Sequence, residues 1–200
     1  MIITVNGLIG SGKSTLTTNL CQLCNYTLMP EPVESNPFLN KYYENPNRFA
    51  FDMQIFLLFE RVKQSKEAYF RSLRNETIVI DSNIYSDMAF ALVQRDDNYF
   101  IPEEFDMYKN LYDYMTVNIK YPDILFWLEL KPEDAMERIK KRSRECESNI
   151  PIEYLNSLYN AHKKVLDELK GKCNVVELDA RKSKAEIICD AMNVIVDYKK

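Results

Sequence analysis

Gly7-Leu8-Ile9-Gly10-Ser11-Gly12-Lys13-Ser14 sets two outer glycines, a lysine and a hydroxyl at the spacing of a phosphate-binding P-loop, and Thr15 follows directly. Glycine lets successive backbone N–H groups turn inward around phosphate oxygens, and the N-terminus of a following helix adds favourable dipole charge. Lys13 is expected to reach the β- and γ-phosphates, with the Ser14 hydroxyl on Mg²⁺. A nucleoside triphosphate site of this kind needs an acid from a second strand. Thr77-Ile78-Val79-Ile80 are β-formers that end on Asp81, which makes Asp81 the expected second magnesium residue. Glu31, in Met29-Pro30-Glu31-Pro32, follows a short apolar run and is suited to take a proton from an attacking hydroxyl. The cationic run from Arg138 to Arg144 predicts an arginine-rich lid over residues 142–150. There Arg142 and Arg144 would bind the migrating phosphoryl group, since a guanidinium pairs with phosphate oxygens in a bidentate way.

Those residues need a scaffold that brings strand ends together. Five short apolar runs, over residues 2–5, 27–29, 77–80, 124–130 and 175–178, read as buried strands. Helical periodicity is clearest over 14–24, 47–73, 102–119, 132–142, 151–169 and 183–198. Pro46, Pro102, Pro132 and Pro151 stand where helices start, the position at which a missing N–H costs least. Strands alternating with helices predict a three-layer α/β/α fold of the P-loop NTPase kind, with a five-stranded parallel sheet. The 200 residues make one domain, 1–200. Residues 30–45 form a stretch too long for a simple connector, so a functional role is expected there.

Charge and composition narrow the partners. A net charge of −4 argues against a general nucleic-acid binder, and no apolar run approaches the length of a membrane span. The strand-like run at residues 2–5 leaves no room for a leader, which predicts a cytoplasmic, reducing location. Cys21 and Cys24 make a C-x-x-C, yet they fall in the helix after the P-loop and read as small buried residues. Zinc would need further ligands, and His162 lies in an unrelated helical stretch.

The chain resembles the deoxynucleoside kinases, the group of deoxycytidine, deoxyguanosine and deoxyadenosine kinases, and within it the bacterial purine-preferring branch. Glu31-Pro32-Val33, Tyr43-Glu44-Asn45-Pro46-Asn47-Arg48, Phe51-Asp52-Met53-Gln54 and Arg142-Ser143-Arg144-Glu145-Cys146-Glu147 carry the likeness. It implies ATP as donor with Mg²⁺, and Glu31 as general base for the 5′-hydroxyl of a deoxynucleoside. Tyr43 and Glu147 are implied contacts of the sugar 3′-hydroxyl, and Gln54 of the base edge with Arg61 beside it. Gln54 and Arg61 lie seven residues apart and therefore share a helix face; without the likeness they are equally well ordinary helix polar residues. Asp87, with Arg61, points to deoxyadenosine first, then deoxycytidine or deoxyguanosine. The chain departs from the family after the third strand, where Ser82 replaces an arginine and Met88 a frequently basic residue. Another cation, such as Arg144, could serve in its place, and introducing Ser82→Arg is expected to leave turnover unchanged or raise it.

Two other readings share these motifs. A thymidylate-type nucleoside monophosphate kinase also has a P-loop and a Glu-Pro, and a weak or inactive binding subunit would keep the fold alone. The donor base is expected near Asp179, Ala180 and Arg181. Relatives implied by the likeness are dimers, and Phe105, Tyr108, Leu111, Tyr112 and Met115 form a stripe suited either to a partner or to the domain's own sheet.

Overall fold

In the computed structural model, which describes residues 1–32, 36–142 and 150–200, five strands form one parallel sheet. They are β1 (Ile2–Gly7), β2 (Thr27–Met29), β3 (Ile78–Asp81), β4 (Ile124–Glu129) and β5 (Asn174–Asp179), in the spatial order β2-β3-β1-β4-β5. The helices are α1 (Lys13–Cys24), α2 (Leu39–Glu44), α3 (Pro46–Ser72), α4 (Ile84–Asp96), α5 (Pro102–Thr116), α6 (Pro132–Arg142), α7 (Ile152–Leu169) and α8 (Lys184–Tyr198). Every strand expected from the apolar runs is present. Ile3, Val5, Val79 and the run Ile124 to Phe126 have no measurable exposure, as befits strands covered on both faces.

Two helices were not visible in the periodicity. α4 carries Ile84, Tyr85, Asp87, Ala89, Ala91, Val93 and Gln94 all buried, because it packs against α3, α5 and α7 together. A helix covered from three sides shows no single apolar stripe. Its start is instead marked by Asn83, whose side-chain oxygen accepts from the amides of Tyr85 and Ser86. α2 occupies part of the stretch expected to be a loop and brings Tyr42 inward. α5 ends at Thr116, short of the expected residue 119.

Register places the chemistry. Val5 pairs with Asp81 across β1 and β3, and Gly7 pairs with Leu128 across β1 and β4. The C-terminal ends of three strands therefore meet where the P-loop leaves β1, and the strand order reverses there. Asn6 and Asn83 tie this junction together: Asn6 donates to the Asn83 side chain at 3.1 Å, and the Asn83 amide donates back to Asn6 at 3.2 Å.

Candidate active site

The P-loop closes tightly on α6. Gly10 has φ +82°, and a Cβ there would lie 2.9 Å from the Ala135 carbonyl oxygen. Only glycine meets both demands. Helix geometry leaves the first amides of α1, Lys13, Ser14 and Thr15, without intrahelical acceptors, so they are donors for an anion. Lys13 Nζ rests 3.1 Å from the carbonyl oxygens of Gly7 and Leu8, within the same loop.

Ser14 Oγ donates to Asp81 Oδ2 at 2.6 Å, while Asp81 Oδ1 is buried with no hydrogen-bond partner. Burial raises the Asp81 carboxyl above its ordinary pKa, and the charge of Lys13 opposes this. An orphaned carboxylate oxygen next to a hydroxyl suits Mg²⁺, which takes one or two protein oxygens and completes its shell with phosphate and water. No group of three or more His, Cys, Asp or Glu side chains placed to hold a metal occurs among the described residues. A dedicated protein cage for an ion is therefore absent from them, and Ser14 and Asp81 fit a phosphate-borne magnesium.

A cavity of about 170 Å³ opens beside Lys13, Ser14 and Thr15. Glu31, Tyr43, Arg61 and Arg142 also line it, with Leu57, Met53 and Phe90 supplying apolar wall. The expected base, the expected sugar contact and the phosphate loop thus share one space. Phe90 and Tyr154 line the cavity too, and sequence reading passed over both. Phe90 sits on the unrecognised α4. Tyr154 lies in the first turn of α7, where an apolar stripe hid it.

Arg61 is the electrostatic centre of the site. It is buried, donates through Nη2 to Glu31 Oε1 at 2.7 Å, and pairs through Nη1 with Asp87. Burial alone would favour losing its charge, but the two carboxylates hold its pKa above the ordinary value. Asp87 is wholly buried and also accepts from the Tyr108 hydroxyl at 2.7 Å. Burial pushes its carboxyl upward; Arg61 and Tyr108 pull against that. Gln54 is equally buried: Nε2 donates to the Asp87 backbone carbonyl at 3.1 Å, and Oε1 has no partner. Gln54 is wholly enclosed and is not among the residues that line the cavity.

Ser82 stands in left-handed backbone, φ +66°, buried, with its Oγ 3.1 Å from Ser86 Oγ. It points no charge at the site. Among the described residues the cation paired with Glu31 is Arg61; Arg144, the expected substitute, and Glu147 lie outside the described residues, as does most of the expected lid.

A second cavity of about 220 Å³ shares Gly12 and Thr15 with the first and continues to Ala180, Lys182, Ile187 and Ile188. Of the three residues expected near the donor base, only Ala180 lines it. Asp179 and Arg181 are instead engaged with each other, at 2.9 Å, on the exposed surface. Arg138 lines the cavity in their place, donating to the carbonyls of Ala180 at 2.7 Å and Ser11 at 3.4 Å. It belongs to α6 and forms part of this second cavity's wall.

Residues 3–198 match the deoxynucleoside kinase family. The chain belongs to that family. The kinase is 37% identical over 180 residues to a deoxyguanosine kinase of Dictyostelium discoideum, covering 89% of this chain but only 63% of that protein's length. It is 32% identical over 180 residues to the deoxyadenosine/deoxycytidine kinase of Bacillus subtilis, covering 88% of this chain and 81% of the relative. Among solved structures, a deoxyadenosine kinase of M. mycoides with dCMP and a flexible dCDP bound superposes with a TM-score of 0.88. That likeness has 30% identity and spans 98% of the kinase and all of the relative. The same M. mycoides enzyme with bound dATP gives a TM-score of 0.85 over 98% of each chain. The P-loop kinase fold read from the strand pattern is thereby shown.

Proposed function

We propose that this kinase transfers the γ-phosphoryl group of ATP to the 5′-hydroxyl of a deoxynucleoside, deoxyadenosine ahead of deoxycytidine and deoxyguanosine. The observation that carries this reading is that Glu31 and the P-loop residues Lys13 and Ser14 line one cavity. A carboxylate there can accept the hydroxyl proton while the phosphoryl group moves in line toward the same oxygen.

Gly7, Leu8, Ile9, Gly10, Ser11 and Gly12 cradle the donor phosphates, with the amides of Lys13 to Thr15 completing the anion site. Ser14 and Asp81 would hold Mg²⁺, which would supply neutralisation of phosphate charge when bound. Lys13, Arg142 and Arg144 meet the charge that spreads over the transferred group. Tyr43 and Glu147 take the sugar 3′-hydroxyl, and Gln54 with Arg61 reads the base edge. The cavity through Ala180 and Arg138 suits the donor base. The names of the relatives, deoxyguanosine and deoxyadenosine kinases, support a purine deoxynucleoside.

The kinase acts in the cytoplasm as a homodimer on this reading. No helix among the described residues is long and apolar enough to cross a membrane. Exposed Phe59 and Phe70 on α3, with Met107 and Tyr114 on α5, offer the apolar surface a second copy would cover. Of the expected stripe, Tyr108 has no exposure at all and Tyr112 packs half-buried against the domain's own core.

Labelled ATP and Mg²⁺ incubated with each of the four deoxynucleosides, and separately with their monophosphates, test the reading. Label is expected on deoxynucleosides, most on deoxyadenosine. Transfer to a monophosphate alone would establish the thymidylate-type reaction instead, and ATP binding without any transfer would establish an inactive subunit.

A further inference from the structure

Four side chains from separate parts of the fold make one chain of contacts that ends on Glu31. The Tyr108 hydroxyl of α5 donates to Asp87 Oδ2 at 2.7 Å, and the other Asp87 oxygen accepts from Arg61. Arg61 Nη2 then donates to Glu31 Oε1 at 2.7 Å. Tyr108, Asp87 and Arg61 are all at or below 2% exposure, and Glu31, at 24% of its side chain, faces the cavity.

A guanidinium is planar and rigid, so fixing the direction of Nη1 fixes the direction of Nη2. Asp87 therefore aims the hand that Arg61 extends to Glu31. Asp87 needs an anchor of its own, because a buried carboxylate with one partner can pivot about it. Tyr108 provides that anchor, and burial beside Asp87 keeps its phenol protonated and hence a donor. A buried ion pair by itself is weak grounds for stability, and apolar replacements are often as stable. This one leads to the carboxylate that must be aimed.

We propose that Tyr108 is a positioning residue for phosphoryl transfer: by holding Asp87 it sets Arg61, and Arg61 holds one oxygen of Glu31 so that the other is presented to the acceptor hydroxyl. This rests on the kinase reading above. Tyr108 touches neither substrate nor phosphate in this scheme and acts only through its neighbours.

Tyr108→Phe removes one oxygen and keeps the ring. Because small misplacement of a reacting group is expensive in rate, we expect kcat for the deoxynucleoside to fall about tenfold, with KM for ATP changed less than twofold. In an Arg61→Lys background the same substitution should change kcat by less than about twofold, since the chain is already cut. Asp87→Asn, of equal shape, is the second variant and should reproduce the loss in kcat. A Tyr108→Phe enzyme with kcat within twofold of the parent, or equal losses in both backgrounds, overturns the proposal. The unaltered protein is assayed first: no transfer to any deoxynucleoside overturns both readings, whereas transfer with an unaffected Tyr108→Phe overturns only the positioning role.

Discussion

Ser14 and Asp81 are 67 residues apart in sequence, yet Ser14 Oγ donates to Asp81 Oδ2 at 2.6 Å. The hydrogen bond joins the first turn of α1 to the end of β3, and it exists because Val5 and Asp81 are cross-strand partners. Burial raises the Asp81 carboxyl, so its charged form is held at a cost to the fold. A carboxyl with a raised folded pKa binds its proton more tightly when folded, so its ionisation destabilises the protein as pH climbs through that range. Asp81→Asn should therefore raise the thermal midpoint at neutral pH while lowering kcat by about a hundredfold. Calorimetry and Mg²⁺-dependent phosphoryl transfer on the same preparation check both halves.

Glu31→Gln keeps a hydrogen-bond acceptor for Arg61 but cannot take a proton. A general base contributes about 10²- to 10⁴-fold, so kcat is expected to drop within that range with ATP binding unaltered. Steady-state kinetics with deoxyadenosine, beside a direct measurement of ATP affinity, would expose a Glu31 that only packs.

Ser82→Arg is not expected to improve the enzyme. Its backbone is left-handed and its side chain is enclosed at 3% exposure, so the arginine must either unpack the β3–α4 junction or leave it. We expect a lower thermal midpoint, by the equivalent of about 1–3 kcal/mol, and no gain in turnover. From sequence alone unchanged or higher turnover is expected; the enclosed, left-handed setting of Ser82 argues the other way. A stable variant with faster transfer would show that the junction tolerates the change.

His162 lies buried on α7 with its ring 5.5 Å from Phe90 and 5.3 Å from Trp127, and its Nε2 has no partner. Burial, helped by the charges of Lys13 and Arg61, pushes its pKa down to about 3. The unfolded chain thus binds a proton that the folded chain refuses. Stability from this group is complete above the unfolded pKa of about 6.5 and is lost as pH falls toward 3, at up to about 1.4 kcal/mol per pH unit. Denaturant titrations from pH 7 to pH 5 should show the decline, and His162→Phe should flatten it.

Much of this site was legible before any coordinates. The P-loop, Asp81 and Glu31 each sit at the end of an apolar run, so short local patterns announce both the strand and the residue that it presents. Asp179 and Arg181, expected near the donor base, pair with each other beside Ala180, since a strand end in sequence does not say which neighbouring side chains line a cavity. α4 escaped notice because enclosure from three sides erased its stripe, and with it Phe90 and the setting of Asp87.

Sequence by itself determined the parallel fold, the phosphate-loop motif and the carboxylates Asp81 and Glu31 beside the strand ends, since these depend on residue type and spacing within a few positions. Tertiary structure alone decided that Arg61 is shared between Glu31 and Asp87, that Tyr108 turns inward to hold Asp87, and that Ser82 is enclosed in left-handed backbone. Those contacts join residues up to 30 positions apart through α3, α4 and α5. Their geometry comes from how helices pack around a sheet, and no local pattern encodes which buried charge will face which.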